Sequence, residues 1–241
     1  MINTYYKNII SKMNSLMASQ NDIMLKAAEV IDERLRQENI LHLFGSGHSH
    51  LAAAECLYRA GCFAPCNVIL PKELLLEGGA VAGTTAERQT GLAPGILKEY
   101  DVRKNDVLVI FSQSGINNVP IEMAEEARKM GVFVIGIGSK KHTETVEPRR
   151  ADGTRLRDHC DIFIDNQGEC GDACVDLNED IHCGPTSTVI GAFIIQAILC
   201  EVGARMNKDG LRPPVYTSAN LGSADYNKEL IEKYRLRVKH L

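Results

Sequence analysis

The stretch VLVIFSQSGINN, residues 107–118, determines the fold predicted for this chain of 241 residues. Its first five residues are apolar and predict a β-strand. Serine, glutamine, serine and glycine follow at once, and a helical pattern runs from about Val119 to Met130 and stops at Gly131. The order is therefore strand, polar turn, helix.

The same order recurs along the chain and predicts an α/β fold. After an apolar run, a glycine-rich turn leads into an alanine-rich helix that we expect to be closed by Gly61. We predict strands within residues 39–45, 66–70, 106–112, 132–139 and 160–166. Alternating strands and helices imply a five-stranded parallel sheet in three α/β/α layers, with a flavodoxin-like order 2-1-3-4-5. The segments 71–105 and 140–159 are expected to be loops with some helix, the second a solvated surface loop.

The sequence predicts one domain over residues 1–241, with a helical segment at each end of the chain. Residues 1–38 form an N-terminal helical segment, because apolar side chains recur there at helical spacing and predict one long helix or two. Residues 211–241 form a C-terminal tail that begins in proline-rich extended chain and ends in an amphipathic helix. The apolar stretch 187–200 is too short to cross a bilayer and is expected to be a helix buried in the core or in a subunit interface.

The composition narrows the class of partner. A net charge of −4 offers no basic footprint for nucleic acid or for an anionic membrane, so the expected partner is a small molecule. The N-terminus lacks a continuous apolar region of the kind found in signal peptides, and we therefore expect a cytoplasmic protein. Its eight cysteines are scattered and predict no disulfide framework in a reducing compartment.

Polar turns at three predicted helix starts suggest a binding site. The first turn is Gly45-Ser46-Gly47-His48-Ser49, the second is Ser112-Gln113-Ser114-Gly115, and the third includes Thr186, Ser187 and Thr188. Serine and threonine are common helix caps, so each turn alone has an ordinary structural explanation. In the order 2-1-3-4-5, however, the first two turns are neighbours at the point where the strand order reverses, which is where such sheets bind ligands. Unpaired N–H groups and serine hydroxyls there suit a phosphate or a carboxylate.

The first turn is neither a dinucleotide fingerprint nor a Walker A loop, because it lacks a third glycine and a Gly-Lys-Ser/Thr ending.

These residues resemble the sugar isomerase (SIS) domain family, over roughly residues 35–205. The resemblance rests on the Gly-Ser-Gly-x-Ser turn, the Ser112-to-Gly115 turn and the stretch GPTSTVIGAF, and stand-alone members such as phosphoheptose isomerase are the most similar. It implies a five-stranded α/β/α fold that binds a sugar phosphate and pairs into homodimers or homotetramers. The residues implied in sugar-phosphate binding are Gly45, Ser46, Gly47, Ser49, Ser112, Gln113, Ser114, Gly115, Asn117 and Ser187.

The catalytic residues are less apparent than the binding residues. Alignment of the first turn with phosphoheptose isomerase puts Glu55 where that family has a zinc-binding His and Arg59 where it has a catalytic Glu. An ordinary ion pair on one helix face explains these two residues. Isomerisation through an enediol needs a base beside the substrate carbonyl and a group that stabilises the oxyanion. The candidate bases are Glu55, Glu87, His48, His50 and His182.

Glu87 is our first choice of base, ahead of His48. Glu87 lies on a segment that could cover the site or enter a neighbouring subunit's site, and Arg88 beside it could add a phosphate contact. His48 lies in the first turn, where a neutral imidazole could reach the substrate.

A zinc site is an alternative use of residues 169–183, where Cys170, Cys174, His182 and Cys183 lie close in sequence to Glu169 and Asp172. Cys-x-x-x-Cys without a second well-spaced pair is nonspecific, so we predict neither a metal nor another cofactor.

The expected function is aldose-ketose isomerisation of a sugar phosphate. A phosphosugar sensor without catalysis and an amino-sugar-phosphate lyase or etherase remain the alternatives.

Overall fold

A five-stranded parallel sheet forms the centre of the computed structural model, which describes residues 1–178, 180–218, 220 and 224–241. Its strands are β1 (Leu41–Gly45), β2 (Cys66–Ile69), β3 (Val107–Phe111), β4 (Phe133–Gly138) and β5 (Ile162–Asp165). Their order across the sheet is β2-β1-β3-β4-β5. The five predicted strands and the predicted order are confirmed.

Helices surround this sheet, and a small antiparallel hairpin is added before the last core helix. The helices are α1 (Ile2–Arg36), α2 (Ser49–Ala54), α3 (Ala80–Ala86), α4 (Ala93–Glu99), α5 (Asn118–Lys129), α6 (Lys140–Thr145), α7 (Ser187–Lys208) and α8 (Ala224–Tyr234). The hairpin strands are β6 (Val175–Asn178) and β7 (Ile181–Cys183). Short 3₁₀ turns occupy Lys72–Leu74, Leu76–Gly78, Leu156–His159 and Cys170–Asp172.

The central strand β3 is buried on both faces of the sheet. Val107, Val109 and Phe111 pack into the core layer that contains α1, α2 and α7. Leu108 and Ile110 pack into the opposite layer, with α4 and α5. Because side chains alternate along a strand, a continuous apolar run is what a two-sided burial requires.

Three elements differ from the sequence prediction or extend it. The N-terminal segment is one helix rather than two. Helix α2 ends at Ala54 instead of reaching Gly61, because Cys56 and Leu57 donate to carbonyls only three residues back and Tyr58 has a φ of +42°. The β6–β7 hairpin is not predicted by the sequence patterns. The predicted C-terminal tail does contain a helix, α8, but residues 219 and 221–223 of that tail lie outside the described part of the chain.

Helix α7 corrects the expectation that this apolar stretch is too short for a bilayer. It has 22 residues and a mean hydropathy of 1.8, enough to cross a membrane by length and composition. Residues along one face, including Ile190, Ile194 and Ile198, are buried in the same core layer as α1. Packing against α1 and α2 thus accounts for part of its apolar character.

A buried polar network anchors the C-terminal residues at the end of the sheet where β3 begins. The Asp106 carboxylate accepts hydrogen bonds from His42 Nε2 at 3.0 Å and from Arg237 Nη2 at 2.8 Å. Asn67 donates to His42 Nδ1 at 3.3 Å and accepts from the Lys239 N–H at 3.1 Å. His42 therefore uses both ring nitrogens as the neutral tautomer that carries its proton on Nε2.

Burial and hydrogen bonding set the charge states in this network. Burial lowers the pKa of His42 below its ordinary value, although the Asp106 carboxylate acts in the opposite direction. Burial alone would raise the pKa of Asp106, but hydrogen bonds from His42 and from the backbone N–H groups of Ile40 and Arg103 outweigh it and lower that pKa. The ion pair of the network is thus Asp106 with Arg237.

Replacement of Asp106 by Asn should therefore destabilise the fold. The substitution removes a buried charge from beside Arg237, and breaking a buried pair in this way reduces the free energy of unfolding by about 3 kcal/mol. Chemical denaturation measures the loss. Asp225→Asn is the matched control, because the Asp225 side chain is 95% exposed and its loss should change stability by less than about 0.5 kcal/mol. Equal stabilities of the two variants would contradict the role given to the network.

Candidate functional site

The first and second turns meet at one edge of the sheet, because β1 and β3 are parallel neighbours. Gly45, the last residue of β1, lies opposite Phe111, the last residue of β3. A cleft of about 340 Å³ opens beyond these strand ends. It is lined by Ser46, Gly47, His48, Ser49, Leu76, Ala80, Thr84, Glu87, Ser112, Gln113, Ser114, Asn117, His142, Asp172 and Ser187. The structure thus brings the side chains of the predicted binding residues into one cleft, with Gly45 and Gly115 in the backbone beneath them.

Two glycines shape the first turn for different reasons. A Cβ atom on Gly45 would lie 2.5 Å from the backbone carbon of Ser49, so only glycine lets the start of α2 pack this closely on β1. Gly47 has a φ of +52°, a conformation that other residues adopt at a cost, and its N–H donates to the Leu74 carbonyl at 2.9 Å. The turn is therefore fixed by its backbone, and its serines are left to face the cleft.

The second turn presents hydroxyl groups at the beginning of α5. Gly115, with a φ of +63°, turns the chain from β3 toward that helix. The Gln113 side chain accepts a hydrogen bond from Asn166 Nδ2 at 2.7 Å. Within the described residues, the hydroxyls of Ser112 and Ser114 make no hydrogen bond. These hydroxyls are donors that can bind an anion. The first turn of α5 adds few N–H groups, because the Val119 N–H donates to the Glu87 carbonyl and Pro120 has no N–H.

Glu87 lies inside the cleft and is held by two of the predicted binding residues. Its carboxylate accepts from Ser46 Oγ at 2.6 Å and from Asn117 Nδ2 at 2.7 Å. The backbone carbonyl of Glu87 also accepts from the Val119 N–H at 3.0 Å, and Asn118 Nδ2 donates to the Arg88 carbonyl at 2.6 Å. The segment that follows α3 is thus docked on the start of α5 of the same chain, and Glu87 belongs to its own chain's cleft.

The third turn is occupied by a carboxylate of the protein itself. Asp172 Oδ1 accepts from the N–H groups of Thr186 and Ser187 at 3.1 and 3.0 Å and from the Thr186 hydroxyl at 3.2 Å. The Ser187 hydroxyl donates to Asp172 Oδ2. Asp172 therefore caps α7 and takes the place at which the sequence suggests an external anion. Ser187 lines the cleft with its hydroxyl already engaged.

The two histidines of the first turn have different environments. His48 is exposed and lies on the lining of the cleft. His50 is buried, and its Nδ1 donates to the Gly47 carbonyl at 2.5 Å. His50 thus supports the turn, whereas His48 is able to meet a ligand.

Other candidates from the sequence lie away from the cleft. Glu55 forms an ion pair with Arg59 at 2.7 Å, which is the ordinary structural explanation for these two residues. His182 is exposed on β7 and lines a different cavity. Arg88 is exposed and does not line the cleft.

The two carboxylates among the residues that the sequence offers for zinc are engaged in other contacts. Glu169 pairs with Lys12 at 2.8 Å and also with Lys141, and Asp172 caps α7. Over residues 1–178, 180–218, 220 and 224–241, no group of three or more His, Cys, Asp and Glu side chains is arranged to hold a metal ion.

His142 and Asp172 are lining residues that the sequence alone does not place in the site. His142 Nδ1 is buried and has no hydrogen-bond partner in the part of the chain that the structure describes. Burial lowers the pKa of this histidine, while the nearby Asp172 carboxylate opposes the shift. His142 falls in a segment for which the sequence predicts a solvated loop. The signal that could have found it is Ser139 at the end of β4, a third serine after a strand, which caps α6 by accepting the His142 N–H at 3.0 Å.

Comparisons with known proteins agree with the fold. The SIS domain family matches residues 4–139. A UPF0309 protein of Listeria innocua is 40% identical over 240 residues, which cover 99% of this chain and 97% of that protein. The fold is similar to that of a phosphoheptose isomerase from Neisseria gonorrhoeae, with a TM-score of 0.54, 15% identity and coverage of 84% of this chain and 97% of that one. It is also similar to the Vibrio vulnificus NanR protein complexed with ManNAc-6P, with a TM-score of 0.50, 12% identity and coverage of 98% and 67%.

Proposed function

Because this chain belongs to the SIS domain family, we propose that its cleft binds a sugar phosphate and isomerises it between aldose and ketose forms. One observation carries the proposal. The Glu87 carboxylate is held by Ser46 and Asn117 in the same cleft as the hydroxyls of Ser112 and Ser114, which have no partner among the described residues. A base and an anion site therefore face one substrate-sized space. A phosphoheptose isomerase and a ManNAc-6P complex among the proteins of similar fold support this proposal.

The second turn provides the phosphate end of the site. A phosphate dianion at Ser112 and Ser114 would receive two hydroxyl donors and the favourable field of the α5 N-terminus. Helix α5 has 12 residues, long enough to have an effective dipole, and Asn117 at its N-cap makes no side-chain cap bond. These groups hold the substrate without any lysine or arginine in the described lining.

Glu87 is the group that we assign to proton transfer. As a base it removes the proton from the carbon beside the substrate carbonyl, which gives an enediolate, and it returns that proton to the neighbouring carbon, the former carbonyl carbon. The hydrogen bonds from Ser46 and Asn117 orient the carboxylate, because both of its oxygens are engaged. His48 on the rim is the candidate for moving the proton between the two substrate oxygens.

Self-association is part of the proposal, because two long helices keep apolar side chains exposed. Tyr6, Ile10, Met17 and Leu25 recur along α1, and Val189 lies on α7, each between 37% and 61% exposed. Met17 and Leu25 line a groove of about 140 Å³ together with Ala197 of α7. An exposed apolar stripe of this kind indicates a protein contact surface, and a second copy of the chain would cover it. We expect the protein, with that surface covered, to be cytoplasmic.

Replacing Ser112 and Ser114 by alanine should weaken sugar-phosphate binding. Each lost hydroxyl removes a hydrogen bond to a charged group, which corresponds to about tenfold or more in Kd. Calorimetry with pentose, hexose and heptose phosphates measures the effect. Ser19→Ala on α1 is the control, because Ser19 is exposed and donates only to the local Ser15 carbonyl. Unchanged affinity in the double variant would exclude the second turn as the phosphate site.

Glu87→Gln should separate binding from chemistry. Loss of a general base reduces proton transfer by about 10²-fold or more, while the amide keeps the shape of the side chain and leaves affinity within a few-fold. Incorporation of deuterium from heavy water into the bound sugar phosphate, followed by NMR, measures the transfer. Glu73→Gln is the control, because Glu73 is exposed on the neighbouring 3₁₀ turn.

The outcomes of this experiment also distinguish the alternative functions. Exchange at the normal rate in Glu87→Gln would assign the base elsewhere. Binding without exchange by the unmodified protein would favour a phosphosugar sensor. Release of a fragment in place of an isomer would favour a lyase or etherase.

Light scattering should find a mass of two or four chains in solution. Tyr6→Lys combined with Ile10→Lys should shift that mass downward, because the charges fall on the exposed stripe of α1. Lys7→Glu changes charge on the same helix at an exposed polar position and serves as the control. A monomer for the unmodified protein would contradict the proposed association.

A further inference from the structure

Asp172 is held in the wall of the cleft by an unusual backbone. It has a φ of +55° and follows Gly171 with a φ of +78°, so two consecutive residues adopt the left-handed conformation. This geometry directs the Asp172 carboxylate onto the start of α7, where Thr186 and Ser187 donate to it. Such a conformation is uncommon for a residue other than glycine, and aspartate is one of the few that adopt it readily.

Hydrogen bonds and an ion pair hold the segment around Asp172 against α1, so the carboxylate has a fixed position. Lys12 donates to the Gln167 carbonyl at 2.9 Å and to Glu169 at 2.8 Å, and its side chain is only 10% exposed. Tyr5 donates to the Pro185 carbonyl at 2.9 Å. These contacts hold the chain on both sides of Asp172.

The hydrogen bonds of Asp172 leave capacity for a donor from the cleft. A carboxylate offers about four acceptor positions, two on each oxygen. Three donors share the positions of Oδ1, whereas among the described residues Oδ2 accepts only from the Ser187 hydroxyl and keeps one position free. A ligand that reaches Oδ2 must therefore donate a hydrogen bond, as a hydroxyl or an ammonium group does. A fully ionised phosphate or a carboxylate has no hydrogen to donate.

The charges of the cleft also favour a hydrogen-bond donor over a second anionic group. Its described lining contains two carboxylates, Glu87 and Asp172, and no lysine or arginine. The hydroxyls of Ser112 and Ser114 can take one phosphate group. A second anionic group would meet like charge at short range, where charges interact far more strongly than in bulk water.

We propose that Asp172 is a specificity-determining residue that selects sugar monophosphates. It accepts a hydroxyl or ammonium group from the part of the substrate that does not carry the phosphate, and it rejects a second phosphate or a carboxylate there. This inference rests on the proposed function of the cleft. From the sequence alone, Asp172 is offered only as a member of a metal-binding cluster.

Matched ligand pairs test the proposal by calorimetry on the full chain. Fructose 6-phosphate is compared with fructose 1,6-bisphosphate, and glucose 6-phosphate is compared with 6-phosphogluconate and with glucosamine 6-phosphate. In the unmodified protein the second anionic group should weaken binding by about tenfold or more, and the ammonium group should not weaken it. Asp172→Asn should reduce the discrimination to less than about threefold, since the amide oxygen still caps α7 while the charge is gone.

Asp176→Asn is the control variant, because it removes the same charge from an exposed position on the hairpin outside the cleft. Discrimination that persists unchanged in Asp172→Asn, or that falls equally in Asp176→Asn, would overturn the assignment. Tighter binding of the bisphosphate by the unmodified protein would overturn it as well. Failure of every ligand to bind the unmodified protein would instead refute the proposed function, and circular dichroism of Asp172→Asn shows whether that variant keeps its helices.

Discussion

The parallel pairing of β1 with β3 is the constraint on which the rest of the structure depends. It places strands that are 66 residues apart in sequence, as Leu41 and Val107 are, side by side with their carboxyl ends at one edge. It also reverses the direction in which successive strands are added, so the helices after β1 and β3 leave on opposite faces of the sheet. A cleft between the two turns is a geometric consequence, and the buried apolar side chains of β3 stabilise the arrangement from both faces.

Within that cleft, the protein satisfies some polar groups and leaves others available. Ser46 and Asn117 hold Glu87, and Ser187 holds Asp172, so each carboxylate is oriented by neutral donors. Ser112 and Ser114 have no such partner in the described chain. The cleft therefore has two unlike sides. The second turn offers hydroxyl donors without a partner in the described chain, and the other side offers carboxylates that already accept hydrogen bonds. In the proposed function, the second turn takes the anionic group of the substrate and the two acids take hydrogen-bond donors.

The sequence predicts the parts of this arrangement that depend on local chemistry. The five strands follow from apolar runs, and the turns follow from Gly47 and Gly115, whose left-handed conformations require a residue such as glycine. Strand order then predicts that the two turns meet. Neither Asp172 nor His142 can be assigned to the cleft in this way. The position of Asp172 depends on a segment that is hydrogen-bonded to α1, and the position of His142 depends on the start of α6. The early end of α2 escapes prediction for a similar reason, since the turn after Ala54 is set by the path of the chain into β2.

Unsatisfied polar atoms are concentrated in the residues that line the cleft. Seven buried side-chain nitrogen and oxygen atoms of the described residues have no hydrogen-bond partner, and three of them belong to Gln113, Asn117 and His142, all in the lining of the cleft. Each such atom costs about 1–3 kcal/mol, which a fold would ordinarily avoid by pairing or by exposure. The three residues line the cleft through other atoms, so the cost of their unpaired atoms falls on the wall of the site. Fully paired packing would make that wall more stable, and such a loss of stability is common where side chains are positioned for function.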